Sequence, residues 1–338
     1  MVMRADQTSR QRSQVAAWHS AATIGGFHWC VDLDWLAHSQ PPPPIEPYLP
    51  RPTEKKHVSC IVAVSPFVDD APEWLGQELS WHEERVEGGG GRYVVHYRDG
   101  MFLAPCDTKT PRCLLRKPER ILTLRGAFGA AALWALAEKG CLLVHAAALA
   151  LNGHAVLILG RSGAGKSTLS IAWILSHGKI ISDDAVLVAH CNGALFAESW
   201  RKDVALRPGS FSVLPDALAE RLRSGSRQRR WLVRDEHPDA FCDDLPLGAL
   251  VLLSTDEARP RRSRVERTHG ADALAALYAA NSHLAGQVLP DARLANQTAE
   301  HIAASLPVLR LVAGSDLLSQ GSAEARRIRD LIAQHIDW

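Results

Sequence analysis

Residues 155–184 read AVLILGRSGAGKSTLSIAWILSHGKIISDD, and this stretch decides the fold. An apolar run, 155–159, ends at Gly160, and a glycine-rich loop follows it. A helical pattern begins at Ser167, and a second short apolar run leads to two aspartates. This order predicts a strand, a loop, a helix, a second strand and a pair of carboxylates, which is typical of an α/β domain.

The glycine-rich loop has the G-x-x-x-x-G-K-[ST] spacing of a nucleotide-phosphate site, the P-loop or Walker A motif. Its glycines permit backbone angles that turn successive N–H groups toward a polyanion, and the following helix adds its positive end. We expect Lys166 to place a positive charge at the β/γ-phosphates and Ser167 to complete the shell of a Mg²⁺ ion. The predicted ATP-binding residues are Gly160, Arg161, Ser162, Gly163, Ala164, Gly165, Lys166, Ser167 and Thr168.

The composition describes an ordinary globular protein of 338 residues, with 46% hydrophobic and 22% charged residues. A formal net charge of +1 gives no general reason to expect a nucleic-acid or membrane partner. The first residues are not followed by an apolar segment, which argues against a signal peptide or an anchor. Seven cysteines form no C-x-x-C pair, so we expect a reduced, cytoplasmic protein.

Three parts are predicted along the chain. Residues 1–55 are expected to be a loosely ordered N-terminal segment with a proline-rich linker at 40–44. Residues 56–119 read as a small β-rich or α+β domain, with alternating runs and a turn at 98–100. Residues 120–338 form the catalytic domain, which a helical pattern at 120–139 joins to the front of the chain. The phosphate-loop strand is expected to arrive through a hairpin at Asn152-Gly153.

Asp183 and Asp184 end the second strand and can divide the chemistry of phosphoryl transfer. One carboxylate can hold Mg²⁺ while the other accepts the proton of an attacking hydroxyl. The alternative is a capped turn with two solvated charges. Asp256 or Glu257 is a lower-ranked candidate for a metal ligand. The arginines that follow them indicate a segment that simply leaves the core after a buried strand.

Residues 142–184 resemble the catalytic domain of bacterial HPr kinase/phosphorylase and its relatives. In that family a histidine opens a strand, and a hairpin leads to a G-x-S-G-x-G-K-S loop. A helix with a late glycine then precedes a strand that ends in Asp-Asp. The matching positions are His145, Ser162, Gly163, Gly165, Lys166, Ser167, Gly178, Asp183 and Asp184. The resemblance implies an HPr-kinase-like P-loop fold with a central sheet and flanking helices.

The resemblance also implies roles for single residues. Asp183 would be the general base, Asp184 would lie at the metal, and His145 would lie close to Asp183 and tune its proton affinity. From the residues alone, His145 is better explained as a core histidine of an apolar strand, and the match in spacing to the family reverses that preference. Family members often assemble, which leaves a homo-oligomer as an open expectation.

The chain departs from the family after Asp184. Where the family has a magnesium-linked glutamate in Glu-Ile-Arg-Gly-Leu-Gly, this sequence has Ala205-Leu-Arg-Pro-Gly209. Glu198, expected in a polar loop at 198–202, or Asp203 would replace that glutamate as a metal residue. Residues 198–201 resemble the divergent kinases of peptide-modification gene clusters, including those that phosphorylate lasso precursor peptides. These departures count against HPr as the substrate and against reverse phosphorolysis.

The sequence therefore predicts an enzyme that uses ATP and Mg²⁺ to phosphorylate a hydroxyl, most simply a serine of a protein or peptide. One alternative is a small-molecule hydroxyl kinase, and another is a nucleotide-dependent binding or switch protein. The six arginines of residues 221–234 could grip an acidic peptide or a phosphate, although such runs are commonly solvated faces.

Overall fold

The computed structural model describes the later part of the chain almost continuously and the earlier part as separate strands. The described residues are 20–24, 27–31, 60–66, 86–89, 92–97, 100–103, 112–115, 126–137, 140–191, 193–200, 203–206, 208–224, 230–231, 233, 236–242, 244–255, 260–285, 293–318 and 322–336. The proline-rich linker and Asp256 and Glu257 lie outside them.

The first sheet contains seven strands in the order β1-β2-β3-β7-β6-β5-β4. β2, β3 and β7 pair in parallel, and the other pairs are antiparallel. β1 and β2 come from the predicted N-terminal segment, and the three-part division of the chain stays a prediction. The strands are β1 (Ser20–Ile24), β2 (Phe27–Val31), β3 (Cys60–Pro66), β4 (Val86–Gly89), β5 (Arg92–Tyr97), β6 (Gly100–Leu103) and β7 (Arg112–Leu115).

The second sheet is mixed and has nine strands. They are β8 (Leu142–Val144), β9 (Ala147–Leu151), β10 (His154–Leu159), β11 (Ile180–Ser182), β12 (Val186–Cys191), β13 (Ala194–Ser199), β16 (Asp244–Ser254), β17 (Arg264–Arg267) and β18 (Val308–Val312). The main order is β11-β9-β10-β16-β13-β12-β8, with β18 paired to β16 and β17 to β18. Two further short strands, β14 (Val204–Ala205) and β15 (Arg230–Trp231), pair with each other.

The long strand β16 organises this sheet. Its first residues pair antiparallel with β13, and its later residues pair in parallel with β10 and β18. β10, β16 and β18 therefore end at the same edge. The predicted hairpin at Asn152-Gly153 is confirmed, because β9 and β10 pair antiparallel and both turn residues have positive φ (50° and 79°).

Helices cover both faces of the second sheet, which makes this part of the chain an α/β structure with a mixed central sheet. On one face Val156 and Ile158 of β10 share a core with α2 and α6, and on the other Ala155 and Leu157 share one with α4 and α5. Because both faces are covered, β10 is apolar from Ala155 to Leu159 rather than alternating. The helices are α1 (Ala127–Ala137), α2 (Lys166–Leu175), α3 (Asp216–Ser224), α4 (Gly270–Ala285), α5 (Arg293–Ser305) and α6 (Ser322–Gln334), with 3₁₀ turns at Pro208–Val213 and Ser315–Leu318.

Helix α1 lies between the two sheets and is buried on all sides. It contacts β3, β6 and β7 of the first sheet and β8 of the second. Gly140 follows it with φ of 69°, and Cys141 N–H donates to the carbonyl of Leu136, which is the pattern of a glycine-terminated helix. Among the described helices, none is long and apolar enough to cross a membrane.

Candidate functional site

The glycine-rich loop joins the end of β10 to the start of α2. Gly163 and Gly165 have φ of 88° and 102°, a left-handed conformation that side chains disfavour. Inside the loop, Ala164 N–H donates to the carbonyl of Arg161 at 3.1 Å. Gly165 is the residue before the helix, and it has no side chain that could cap the first N–H groups of α2. The loop therefore leaves backbone donors at the positive end of a helix.

Gly160 brings the loop into direct backbone contact with β16. A methyl group at this position would lie 2.7 Å from the carbonyl oxygen of Leu253 and 3.2 Å from the Cβ of Ala164. Contacts this short do not occur with a real side chain, so the start of the loop has room for glycine alone.

Lys166 folds back over the loop that precedes it. Its side chain is buried, and Nζ donates to the carbonyl oxygens of Gly160 at 2.7 Å and Arg161 at 3.5 Å. Arg161, Ser162 and Gly163 are exposed. Ala164 and Thr168 are buried, while Gly165 and Ser167 are half-buried. An ammonium held by two carbonyls can exchange them for phosphate oxygens without leaving the loop.

Two strands bend at the same place beside this loop. Residues 145–146 separate β8 from β9, and residues 183–185 separate β11 from β12. Val144 pairs with Val186 on one side of the bend, and Ala148 pairs with Ser182 on the other side. Both pairs belong to the same continuous antiparallel register. The predicted histidine and aspartates are thus held opposite each other by strand pairs on both sides.

At this shared bend His145 contacts Asp184. Its Nδ1 lies 2.9 Å from the backbone oxygen of Asp184 and 3.2 Å from a carboxylate oxygen of the same residue. Because both of these partners are acceptors, the proton of this contact lies on Nδ1. The sequence analysis also expected His145 to lie close to Asp183 and to tune its proton affinity, and both expectations stay predictions. Asp183 itself is buried at 1% exposure.

The bend and the loop lie at one edge of the sheet. β9 is the neighbour of both β10 and β11, with Ala147 paired to Ile158 and Ala148 paired to Ser182. The ends of β10 and β11 are therefore two strand spacings apart, about 10 Å.

Glu198 lies in strand β13 and is buried, so the expectation that it belongs to a polar loop is wrong. The strand extends two residues further than expected, because Leu187 pairs with Glu198 and Val186 pairs with Ser199. Glu198 therefore lies in the second residue pair from the bend at 183–185. Asp203, the other residue offered for the missing family glutamate, is also buried.

On its other side Glu198 pairs with Asp244 at the start of β16. Asp244 was not identified from the sequence, because the unbroken apolar run of this strand starts only at Leu247. Pro246 and the polar residues before it obscured the beginning of the strand. The alternation of Leu245 and Leu247 was the available signal.

The described residues contain no cluster of three or more His, Cys, Asp or Glu side chains that could hold a metal ion. Asp184, Glu198 and the Ser167 hydroxyl therefore do not form a closed protein cage. Mg²⁺ in nucleotide sites typically takes one or two protein ligands, with phosphate oxygens and waters completing an octahedron. The available donors fit that kind of open site.

The described arginines of the arginine-rich stretch lie in two different elements. Arg221 and Arg223 lie in α3, where Arg221 forms an ion pair with Glu236 and Arg223 stacks 5.1 Å from the ring centre of Phe211. Arg230 lies in β15, and residues 225–229 and 234 lie outside the described part. A role in gripping a peptide stays a prediction.

Comparison with known proteins assigns this chain to no family. No family model and no curated protein matches the chain. Among solved structures, the HPr(Ser) kinase/phosphatase from Coxiella burnetii matches with 16% sequence identity and a TM-score of 0.32. That match covers 57% of this chain and 95% of the other. A likeness of this size carries no argument, so the function must be inferred from the residues themselves.

Proposed function

We propose that this protein is an Mg²⁺-dependent kinase that transfers the γ-phosphoryl group of ATP to a hydroxyl group, that of a serine in a protein or peptide. The observation that supports this proposal best is the shared sheet edge. It combines a glycine-rich loop and a buried lysine with a histidine and two aspartates about two strand spacings away. The choice of a serine in a protein or peptide as the acceptor rests on the sequence resemblance.

The loop fits the phosphates of a nucleotide. Its left-handed glycines and the uncapped start of α2 provide backbone N–H donors, and Lys166 provides a charge within the same loop. Phosphate oxygens are acceptors that such a combination binds well. Ser167 and Asp184 would hold Mg²⁺, which when bound neutralises the charge on the phosphates.

The proton of the acceptor hydroxyl must leave as the new bond forms. The acceptor oxygen bonds to the γ-phosphorus, the bond from that phosphorus to the β–γ bridging oxygen breaks, and ADP departs. Asp183 takes the hydroxyl proton. His145 holds the adjacent Asp184 through its Nδ1–H, which keeps the metal-side carboxylate in a fixed orientation.

The decisive experiment uses the full chain, Mg²⁺ and ATP labelled at the γ-phosphate, incubated with serine peptides, proteins and small hydroxyl metabolites. Mass spectrometry then identifies any phosphorylated product. Asp183→Asn should retain ATP binding, because it keeps the shape of the side chain, while transfer falls at least roughly a hundredfold. Asp272→Asn, which changes an aspartate on α4 in contact with Arg310 on β18, is the matched control and should retain activity.

Full activity of Asp183→Asn would refute the assignment of the base. Transfer confined to small metabolites would replace the peptide with a small-molecule acceptor. ATP binding without transfer to any member of the panel would favour a nucleotide-dependent binding protein. A chain that does not bind ATP would refute the proposed function altogether.

A further inference from the structure

A buried aspartate joins three segments beside the nucleotide loop. Asp316 lies in the 3₁₀ turn that follows β18 and is 9% exposed. Its carboxylate accepts from the backbone N–H of Ser263, at 3.0 and 2.8 Å to its two oxygens, and from the Ser263 hydroxyl at 2.6 Å. Arg327 of α6 completes the arrangement through an ion pair with the same carboxylate. We call Ser263, Asp316 and Arg327 the Asp316 cluster.

The backbone around the cluster is tightly fixed. Gly314 N–H donates to the Ser263 hydroxyl oxygen at 2.9 Å, and Ser315 N–H donates to the carbonyl of Pro260 at 2.9 Å. A methyl group on Gly314 would lie 2.6 Å from backbone atoms of Arg262 and Ser263. The turn after β18 and the segment before β17 thus form one close-packed unit.

A second carboxylate, that of Glu324, also holds the guanidinium of Arg327. A hydrogen bond from Arg327 to Glu324, at 2.9 Å, and the charge of Asp316 both raise the pKa of the Arg327 guanidinium above its usual range. The guanidinium therefore stays charged, and α6 remains attached to the turn through it.

This unit touches the nucleotide loop through the next residue. Leu317 is buried, and its Cδ2 lies 3.7 Å from the position that a Cβ of Gly165 would occupy. Gly165 is the last loop residue, directly before α2. The contact arises because β10 and β18 are both parallel to β16, so the segments that follow them meet at one edge.

We propose that Leu317, held by the Asp316 cluster, is a positioning residue for the phosphate-binding conformation of the loop. This proposal rests on the proposed function. The loop needs its N–H groups directed inward before the nucleotide arrives, and each degree of freedom left to it must be lost on binding. A leucine packed against Gly165 removes one of those freedoms, and the cluster keeps that leucine in place.

The test measures ATP affinity by calorimetric titration of the full chain with Mg²⁺ present, well below the unfolding temperature. Leu317→Ala should weaken ATP binding about tenfold, equivalent to about 1.4 kcal/mol. Leu317→Met, which conserves volume, should stay within about twofold of wild type. Ile336→Ala is the matched control, because Ile336 belongs to the same core, is also 5% exposed and lies beyond the far end of α6. It should lower Tm and leave ATP affinity within about twofold.

The Asp316→Asn variant provides an independent test of the proposal if the Leu317→Ala variant does not fold. It should weaken ATP binding several-fold, because an amide keeps the shape of the side chain but loses the charge paired with Arg327. Asp272→Asn is its control, since Asp272 contacts Arg310 at 3.2 Å on the other side of β18 and should not affect ATP binding.

The outcomes separate the two proposals. If wild type binds ATP, Lys166→Ala does not, and both Leu317→Ala and Asp316→Asn bind like wild type, the positioning role is refuted while the nucleotide site stands. If Leu317→Ala and Ile336→Ala weaken binding equally, general destabilisation replaces positioning. If wild type does not bind ATP, both proposals fail.

Discussion

Replacing Gly160 with alanine tests whether contact between the loop and β16 shapes the nucleotide site. The added methyl would lie 2.7 Å from the carbonyl oxygen of Leu253, which belongs to the strand at the centre of the sheet. That backbone is paired with β10 and β18 and cannot rotate away. The loop must therefore move by roughly half an ångström, at a cost typical of overpacked sites, about 1–3 kcal/mol.

The expected result has two parts. Tm should fall by roughly 3–10 °C, since a loss of about 1 kcal/mol shifts the Tm of a domain of this size by about 2–4 °C. ATP affinity should fall at least about tenfold, because displaced donors no longer meet the phosphate oxygens. Differential scanning calorimetry and calorimetric titration with ATP and Mg²⁺ measure the two effects on the same samples.

Gly153→Ala is the control for this experiment. Gly153 lies in the hairpin turn at the other end of β10, with φ of 79° and no atom within 4 Å of an added methyl. It should lose about 1 kcal/mol through backbone strain and keep its ATP affinity. If Gly160→Ala binds ATP as tightly as Gly153→Ala does, the reasoning about the loop is wrong.

Further predictions concern the metal and the helix end. Asp184→Asn should raise the Mg²⁺ concentration needed for half-maximal transfer at least about tenfold, and an unchanged Mg²⁺ titration would remove Asp184 from the metal site. Gly178→Ala should cost about 1–3 kcal/mol in urea denaturation while ATP affinity stays within about twofold, because its methyl would lie 2.3 Å from the buried ring of Trp173. A stable Gly178→Ala variant would show that the ring of Trp173 can move aside.

The sequence predicts the elements around the loop well because their signals are local. The strand, the glycines, the helix and the second strand all appear in the structure within a residue or two of the apolar pattern. The late strand β18 (Val308–Val312) likewise coincides with a short apolar run, VLRLV. These elements have both strong periodicity and clear ends, so tertiary contacts had little to change.

Other elements were not predicted from the sequence, because their signals are weak or depend on residues far away along the chain. α3 and α5 are rich in polar residues on their exposed faces, and the sequence analysis did not predict them. β17, with the sequence RVER, is an exposed edge strand that exists through pairing with β18 and has little propensity of its own. Of the predicted helix at 120–139, the structure describes Ala127–Ala137 as helix, and residues 120–125 and 138–139 lie outside the described part.

In the candidate site, too, the residues of one segment could be predicted from the sequence, while the contacts between distant segments could not. Lys166 and the loop glycines follow from spacing alone. The contact of His145 with Asp184 depends on two strands that bend together, and the contact of Leu317 with Gly165 depends on the parallel ends of β10 and β18. The spacing of residues within one segment cannot predict those contacts, since they arise from the order of the strands in the sheet.

The central position of β16 has a consequence for how the chain folds during synthesis. β10 emerges from the ribosome long before its parallel neighbour, because Ala155 pairs with Leu247. Until β16 is made, the hairpin with β9 gives β10 a partner on one side only, and Gly160 lacks the backbone against which it packs. Parallel pairing over such sequence separation is slow to form. A nascent chain would therefore complete the proposed nucleotide site late, after most of the candidate site residues have already been synthesised.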